Sequence, residues 1–326
     1  MLNEFSIGLR VVGPLTGQRR RVPWREAFAA HLACEARAQC FGESYLSVFT
    51  FDSAMVGHLA DQGSPAGFEG ETHAEYVAFD IDRKDEIPKA LADARTLAGV
   101  LEETFEVPTA AIQVFFSGSK GFHVLVPTAL WSPTPSVVFS RVARIFAERL
   151  AAEAKVEIDS SIYSRVHMFR SPNSRHPTTG LFKIPLAVVQ LDSLDIGEIQ
   201  ELARRPMPST ASRQDQVALC TPLAMEWQAA ETALEKINAD RVAKHSSSEG
   251  TAMLTRLTKA ILRGEYLDEG SRHRHLYSAA ANLGECGASL QLALELLTDV
   301  GRESGLRPSD VAKQIADGHA RGSNAA

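Results

Sequence analysis

Two aspartates separated by one residue, Asp80 and Asp82, close the apolar run YVAFDID, Tyr76 to Asp82. On a strand, residues two apart leave the same face, so both carboxylates point one way while Ile81 points the other. Such a pair suits a hard divalent cation, Mg²⁺ or Mn²⁺, which prefers carboxylate oxygen and takes few ligands from a protein. The same pattern also arises by chance at a solvated strand end, and on the pair alone that reading has at least equal standing. A third acid, Asp159, ends the short apolar stretch of VEIDSS, Val156 to Ser161. Three converging carboxylates can hold two metal ions, which activate an attacking hydroxyl and stabilise the leaving oxygen of a phosphoryl transfer. Taken alone, Asp159 is better read as a helix N-cap or a surface residue.

Between these acids lies FFSGSKGFHVLVP, Phe115 to Pro127, a strand-turn-strand segment with Ser-Gly-Ser-Lys-Gly as its turn. A plain hairpin favours Asn-Gly or Asp-Gly and needs neither the lysine nor the histidine that follows. Ser117, Lys120 and His123 offer a hydroxyl, an ammonium and an imidazole, all able to donate to phosphate oxygens, while Gly118 and Gly121 permit close backbone approach. Beyond Asp159, the segment Ser160 to Leu186 carries Arg165, Arg170, Arg175, Lys183, His167 and His176 and no acidic residue, in a chain of net charge −6. A basic segment beside carboxylates implies an anion held next to a metal, and a nucleoside triphosphate meets both requirements. For Arg165 and Arg175 a solvated loop serves as well.

The elements that must position these groups are legible from periodicity. Ser6 to Val12 and Tyr45 to Phe51 read as strands, with a helix from Trp24 to Cys40 between them. Helices follow over Glu86 to Phe105 and Pro135 to Ala154, and strands near His167 to Arg170 and Leu181 to Leu186 flank the loop SPNSRHPTTG. The pattern predicts an α+β fold with an antiparallel or mixed sheet flanked by helices. After Val189 only helices are expected, over Asp195 to Ala203 and Thr221 to His245, then a linker at HSSSEGT, His245 to Thr251. A small all-helical domain follows, over Met253 to Arg263, Arg272 to Leu283, Leu290 to Val300 and Val311 to His319. Gly284, Gly287 and Gly301 read as punctuation, and Ser289 as an N-cap. The expected division is 1–245, with a core at 40–190 and a helical extension at 191–245, and 252–326.

With 326 residues, 44% of them hydrophobic and 23% charged, the chain has the composition of soluble globular material. Cys34, Cys40, Cys220 and Cys286 show neither CxxC nor zinc-ribbon spacing, and His31, Cys34 and Cys40 lack a fourth ligand. No signal-peptide pattern and no apolar run of about 18 residues is present, so a cytoplasmic protein without a membrane partner is expected. The absence of GxxxxGK[ST] excludes an attached helicase motor.

Together FDID, SGSKGFH and EID with Asp159 resemble the archaeo-eukaryotic primase superfamily, whose polymerase site is built from DxD, SGxxGxH and a later hydrophobic-Asp motif in this order. The similarity extends through IDSSIYSRVHMFRSPNSRHPTTGLFKIPL, Ile158 to Leu186, and covers roughly Tyr76 to Leu186. The terminal helices, with EGSRHRHLYSAAANLGECGAS, are similar to those that follow such cores in plasmid and phage primases. The resemblance implies that Asp80, Asp82 and Asp159 hold two Mg²⁺ or Mn²⁺ ions. It further implies that Ser117, Lys120, His123, Arg170, Ser174 and His176 contact a bound NTP or dNTP, with His167 nearer the sugar. Ser119 departs from the second basic residue of replicative primases, and Lys120 stands for an arginine. The implied activity is primer synthesis or extension on a single-stranded DNA template, with a separate replicative helicase as a further partner. The implied alternatives are a polymerase that only extends primers in repair or end joining, and a nucleic-acid-binding replication module without activity. Arg272, His273, Arg274 and His275 form a polar cluster suited to an initiating nucleotide or to capping a helix.

Overall fold

The computed structural model describes residues 5–210, 218–246, 253–263, 271–303, 306 and 308–324, the side chains of 240–246 and 303 excepted. The chain enters through β1 (Ile7–Val12), β2 (Arg20–Pro23), α1 (Trp24–Leu32), β3 (Ser44–Ser47), β4 (Thr50–Phe51), α2 (Ala54–Gln62) and β5 (Thr72–His73). Then come β6 (Tyr76–Asp82), α3 (Ile87–Glu103), β7 (Gln113–Phe116), β8 (Gly121–Pro127) and α4 (Phe139–Glu153). After these, β9 (Met168–Arg170), β10 (Ile184–Leu186), α5 (Val188–Ser193), α6 (Ile196–Leu202) and α7 (Thr221–Ser246) complete the elements before residue 247.

The fold is α+β, and every strand pair among the described residues is antiparallel. One sheet runs β5-β4-β1-β3-β9 with β2 on the outer side of β1, and the other runs β10-β7-β8-β6. The two strands that flank SPNSRHPTTG therefore belong to different sheets, β9 beside β3 and β10 beside β7. Because β1 and β2 complete the first sheet, the core reaches well before residue 40. Helix α3 begins with Pro88 in its first turn, where the missing N–H costs nothing, and the left-handed Glu106 lies beyond its end. Phe79, Ile81, Leu97, Leu101, Phe122 and Phe146 are fully buried in one continuous core, each contributing roughly 1.5–3 kcal/mol of transfer free energy.

Several sequence expectations need correction, three of them in the N-terminal half. The helix expected over Trp24 to Cys40 stops at Leu32, because Cys34 and Gln39 take left-handed backbone angles, φ 53° and 54°, around a single 3₁₀ turn. The strand expected over Tyr45 to Phe51 breaks in two where the Val48 N–H turns to the carbonyl of His167. The fourth helix begins at Phe139 rather than Pro135, since Ser136 first bridges to Thr72.

The chain divides into two compact units, Met1–Ile237 and Asn238–Ala326, with the boundary inside α7. Residues 247–252, most of the expected linker, lie outside the described residues, as do the first two residues of EGSRHRHLY; His245 and Ser246 belong to α7. The second unit holds α8 (Arg256–Leu262), α9 (Arg272–Glu285), α10 (Leu290–Glu303) and α11 (Pro308–Ser323) around Leu276, Leu283, Leu297 and Ile315. Ser289 caps α10 as expected, its hydroxyl accepting from Leu292 N at 3.2 Å. Gly284 does not end α9; it lies inside the helix where a side chain would collide with the backbone of α11 at His319, so the glycine serves close helix packing. No helix among the described residues is long and apolar enough to cross a membrane.

Candidate active site

β6 is the outermost strand of its sheet, yet its outer edge is covered. Asp159 N donates to the Asp80 carbonyl at 2.8 Å and the Tyr163 hydroxyl donates to the Ala78 carbonyl, so the 3₁₀ turn Ser160–Tyr163 closes over the strand. The third acid is thereby fixed to the first through the backbone. Asp159 also caps that turn, its Oδ1 accepting from Ser161 N at 2.9 Å.

Across the strand pair, Asp80 stands opposite His123 and Asp82 opposite Gly121. Although they leave the same face of β6, the two acids are unequally placed: Asp80 is buried at 8% exposure, while Asp82 is partly open. The cause is the packing of β9 over this face, where the ring of His123 stacks on Phe169 at 4.2 Å. Burial, and behind it repulsion from Asp82 and Asp159, raises the Asp80 carboxyl to about 7, against the opposing pull of Lys183 and Lys120. His123 Nε2 lies 3.4 Å from Asp80 Oδ1 without the alignment of a hydrogen bond, and Oδ1 has no partner. Burial holds the imidazole neutral, so this contact is not an ion pair.

The hairpin turn has its own internal logic. Ser117 Oγ accepts from Ser119 N and Gly121 N, bracing a turn that Gly118 enters with φ +83°. A β-carbon on Gly121 would collide with the Ile81 carbonyl, so this glycine is required by the pairing with β6. Lys120 is half-exposed and reaches back to Asp82, Nζ to Oδ2 at 2.8 Å.

The basic segment separates into distinct roles. Arg165 donates to the carbonyls of Phe68 and Val137, and Arg175 to that of Gly180, so both tie down backbone. Ser174 is fully buried with its hydroxyl given to the carbonyls of Ser44 and Ser171. Arg170 lies over the Tyr45 ring at 5.0 Å and donates to its hydroxyl. His176 Nδ1 accepts from the N–H groups of Thr178 and Thr179, which leaves Nε2 to carry the ring proton. Burial first, then the charge of Arg170, lowers its pKa, with Asp82 and Lys120 also in electrostatic reach. Burial lowers the His167 pKa, with the charge of Asp159 raising it and that of Arg19 lowering it.

Lys183 was legible only as one charge in a basic run. It is 1% exposed, donates to the Arg170 carbonyl at 2.7 Å, and places its ammonium 4.4 Å from the Phe169 ring centroid and 5.0 Å from that of Phe115. Burial pushes its pKa well below the usual lysine range while Asp80 pulls it back up. Two other residues carried no signal: Tyr163, and Arg83, which pairs with Asp93 and donates to the carbonyls of Asp82 and Glu157.

The structure thus brings together Asp80, Asp82, Asp159, Lys120 and His123, with Lys183, Arg170 and His176 around them. As they stand, no three His, Cys, Asp or Glu side chains among the described residues gather closely enough to hold a metal ion. In kind the donors fit a hard divalent cation, for Asp80 Oδ1 is buried without a partner and the three acids repel one another. His31 is buried near Cys40, with Nε2 on Ser44 Oγ, and joins no such group either.

No known protein family matches the chain, and no curated protein matches it. Among solved structures, the crystal structure of primase RepB′ is similar over 97% of this chain and 88% of that one, at 14% identity and a TM-score of 0.38, a weak likeness.

Proposed function

We propose that the chain is a template-directed nucleotidyltransferase of primase-polymerase type, acting on single-stranded DNA with NTP or dNTP. The observation that carries this reading is the register of β6 and β8, Asp80 opposite His123 and Asp82 opposite Gly121, with Asp159 bonded to the Asp80 backbone. That register sets a lysine-bearing turn against a carboxylate pair, the juxtaposition a metal-bound triphosphate requires.

In the proposed reaction a 3′-hydroxyl attacks the α-phosphorus of the bound nucleotide, a new P–O bond forms as the bond to pyrophosphate breaks, and the hydroxyl proton passes to water. Two Mg²⁺ or Mn²⁺ ions held by Asp80, Asp82 and Asp159 would supply Lewis-acid stabilisation at the attacking and leaving oxygens. Lys120 exchanges its partner Asp82 for a triphosphate oxygen, and Arg170 and His176 Nε2 add donors. Ser117 and Ser174 act by holding the turn and the loop in shape, and His167 lies toward the sugar. Lys183 fixes the Arg170 backbone and offsets the charge of Asp80.

The test is one assay: a single-stranded template, labelled nucleotides and Mn²⁺ or Mg²⁺, with and without a primer. Product in both cases supports a primase. Product only with primer supports an extending polymerase of the repair or end-joining kind, and no product leaves a binding module.

A further inference from the structure

An open groove of the first unit is lined by none of the three site carboxylates. That groove, about 760 Å³, lies along β2 and the end of α2 and is lined by Gln18, Arg19, Arg20, Arg21, Leu59 and Gly63 among others, with no acidic residue among the described residues that line it. Arg20 and Arg21 are exposed and have no ion-pair partner among the described residues. Arg20 stands directly across from Arg10 on β1, and like charges placed opposite one another cost stability unless an anion lies between or beside them. Arg10 does not relieve this with an acid; its guanidinium goes to the carbonyls of Arg37 and Ala38.

Arg19 connects the groove to the carboxylate site. Its Nη1 donates to the Val166 carbonyl at 3.1 Å, and the next residue, His167, feels both Arg19 and Asp159. A cationic groove whose Arg19 is bonded to the residue before His167 matches a polyanion running toward the reacting centre. The plainer alternative is that arginines on β2, an edge strand with β1 as its one partner, guard against edge-to-edge association. Edge protection explains charge on the strand. It does not explain the open groove or the link from Arg19 to the segment before β9.

We infer that the groove lined by Arg19, Arg20 and Arg21 binds the phosphate backbone of a single-stranded nucleic acid and leads it toward Asp159. This rests on the polymerase reading for the strand's role as template, but the binding itself does not. Full-length protein and its Arg20→Gln/Arg21→Gln variant, which removes the charge but keeps a polar side chain on an exposed strand, are titrated with a labelled mixed-sequence single-stranded DNA over a salt series by fluorescence anisotropy. Each phosphate contact on a single strand contributes about 0.7 to the slope of log K against log salt, and neighbouring residues on β2 leave opposite faces, so the variant is expected to lose about 0.7 to 1.4 and to bind several-fold more weakly at low salt. Arg20→Lys/Arg21→Lys is expected to keep the wild-type slope. An unchanged slope in the Gln variant makes these arginines edge guards only and overturns the inference. A chain that loses the slope yet makes no product on a primed template keeps the groove and discards the polymerase. A chain that polymerises with the slope unchanged does the reverse.

Discussion

Asp80 and His123 face each other across β6 and β8 with Nε2 3.4 Å from Oδ1, and the buried Oδ1 and His123 Nδ1 both lack hydrogen-bond partners. Buried unsatisfied polar atoms are rare in folded proteins, and this pair, beside two further carboxylates, costs the fold stability.

That cost has a pH signature. The Asp80 carboxyl is raised from 3.8 to about 7 in the folded chain. The native state therefore binds more protons than the unfolded state between these values, so this group's contribution to stability falls as pH rises from about 4 to about 7 and is flat above. Asp80→Asn removes the penalty. Its stability gain over wild type is expected to be small near pH 4 and full at pH 8, with a ceiling of ~4 kcal/mol. Melting curves of both proteins at the two pH values check this; a gain independent of pH would contradict it.

Divalent cations should act on the same penalty. At pH 8, Mn²⁺ or Mg²⁺ is expected to raise the melting temperature of the wild type, by the equivalent of ~2.7 kcal/mol at a hundred times the dissociation constant. The rise should disappear in Asp80→Asn. No shift at millimolar ion would count against the metal site.

Lys120 is half-exposed, so its pair with Asp82 contributes about 0–1 kcal/mol to the fold. Lys120→Ala is therefore expected to melt close to wild type, to bind nucleoside triphosphate about tenfold more weakly, and to bind the corresponding nucleoside unchanged. Equal losses for both ligands, read by calorimetry, would assign Lys120 to something other than phosphate.

Gly121 is a structural requirement of the site. An alanine there meets the Ile81 carbonyl, and relieving the clash means parting β6 from β8. Gly121→Ala is expected to lose roughly 1–3 kcal/mol or more by denaturant melt. Wild-type stability would show that the two strands are less tightly joined than described.

Much of the candidate site's arrangement is legible in the sequence because its signals are local. The apolar run before Asp80, the Ser-Gly-Ser-Lys-Gly turn and the apolar β8 are each complete within a few residues, and the two strands pair as neighbours in one sheet. Features that depend on distant partners were not legible. The Ala-rich stretch after Leu32 has no Gly or Pro to announce the left-handed turns at Cys34 and Gln39, so periodicity carries the helix too far. The break after Ser47 is set by His167, more than a hundred residues later. Lys183 carried an unused signal, a single cation inside the apolar LFKIPL, which is unusual unless the charge has a buried task. Ser117 and Ser174 were read by type, but a hydroxyl's role depends on which backbone groups fold next to it.

The most direct measurement is extension of a primed single-stranded DNA template by purified wild type and Asp82→Asn in Mn²⁺ and Mg²⁺. Asp82 is partly open and its replacement frees only a surface lysine, so the variant should remain folded. Wild type is expected to extend the primer, and the variant to be slower by at least about a hundredfold, ~3 kcal/mol of lost transition-state stabilisation. Equal extension by a folded Asp82→Asn protein, or no extension by the wild type with either ion, would contradict the account.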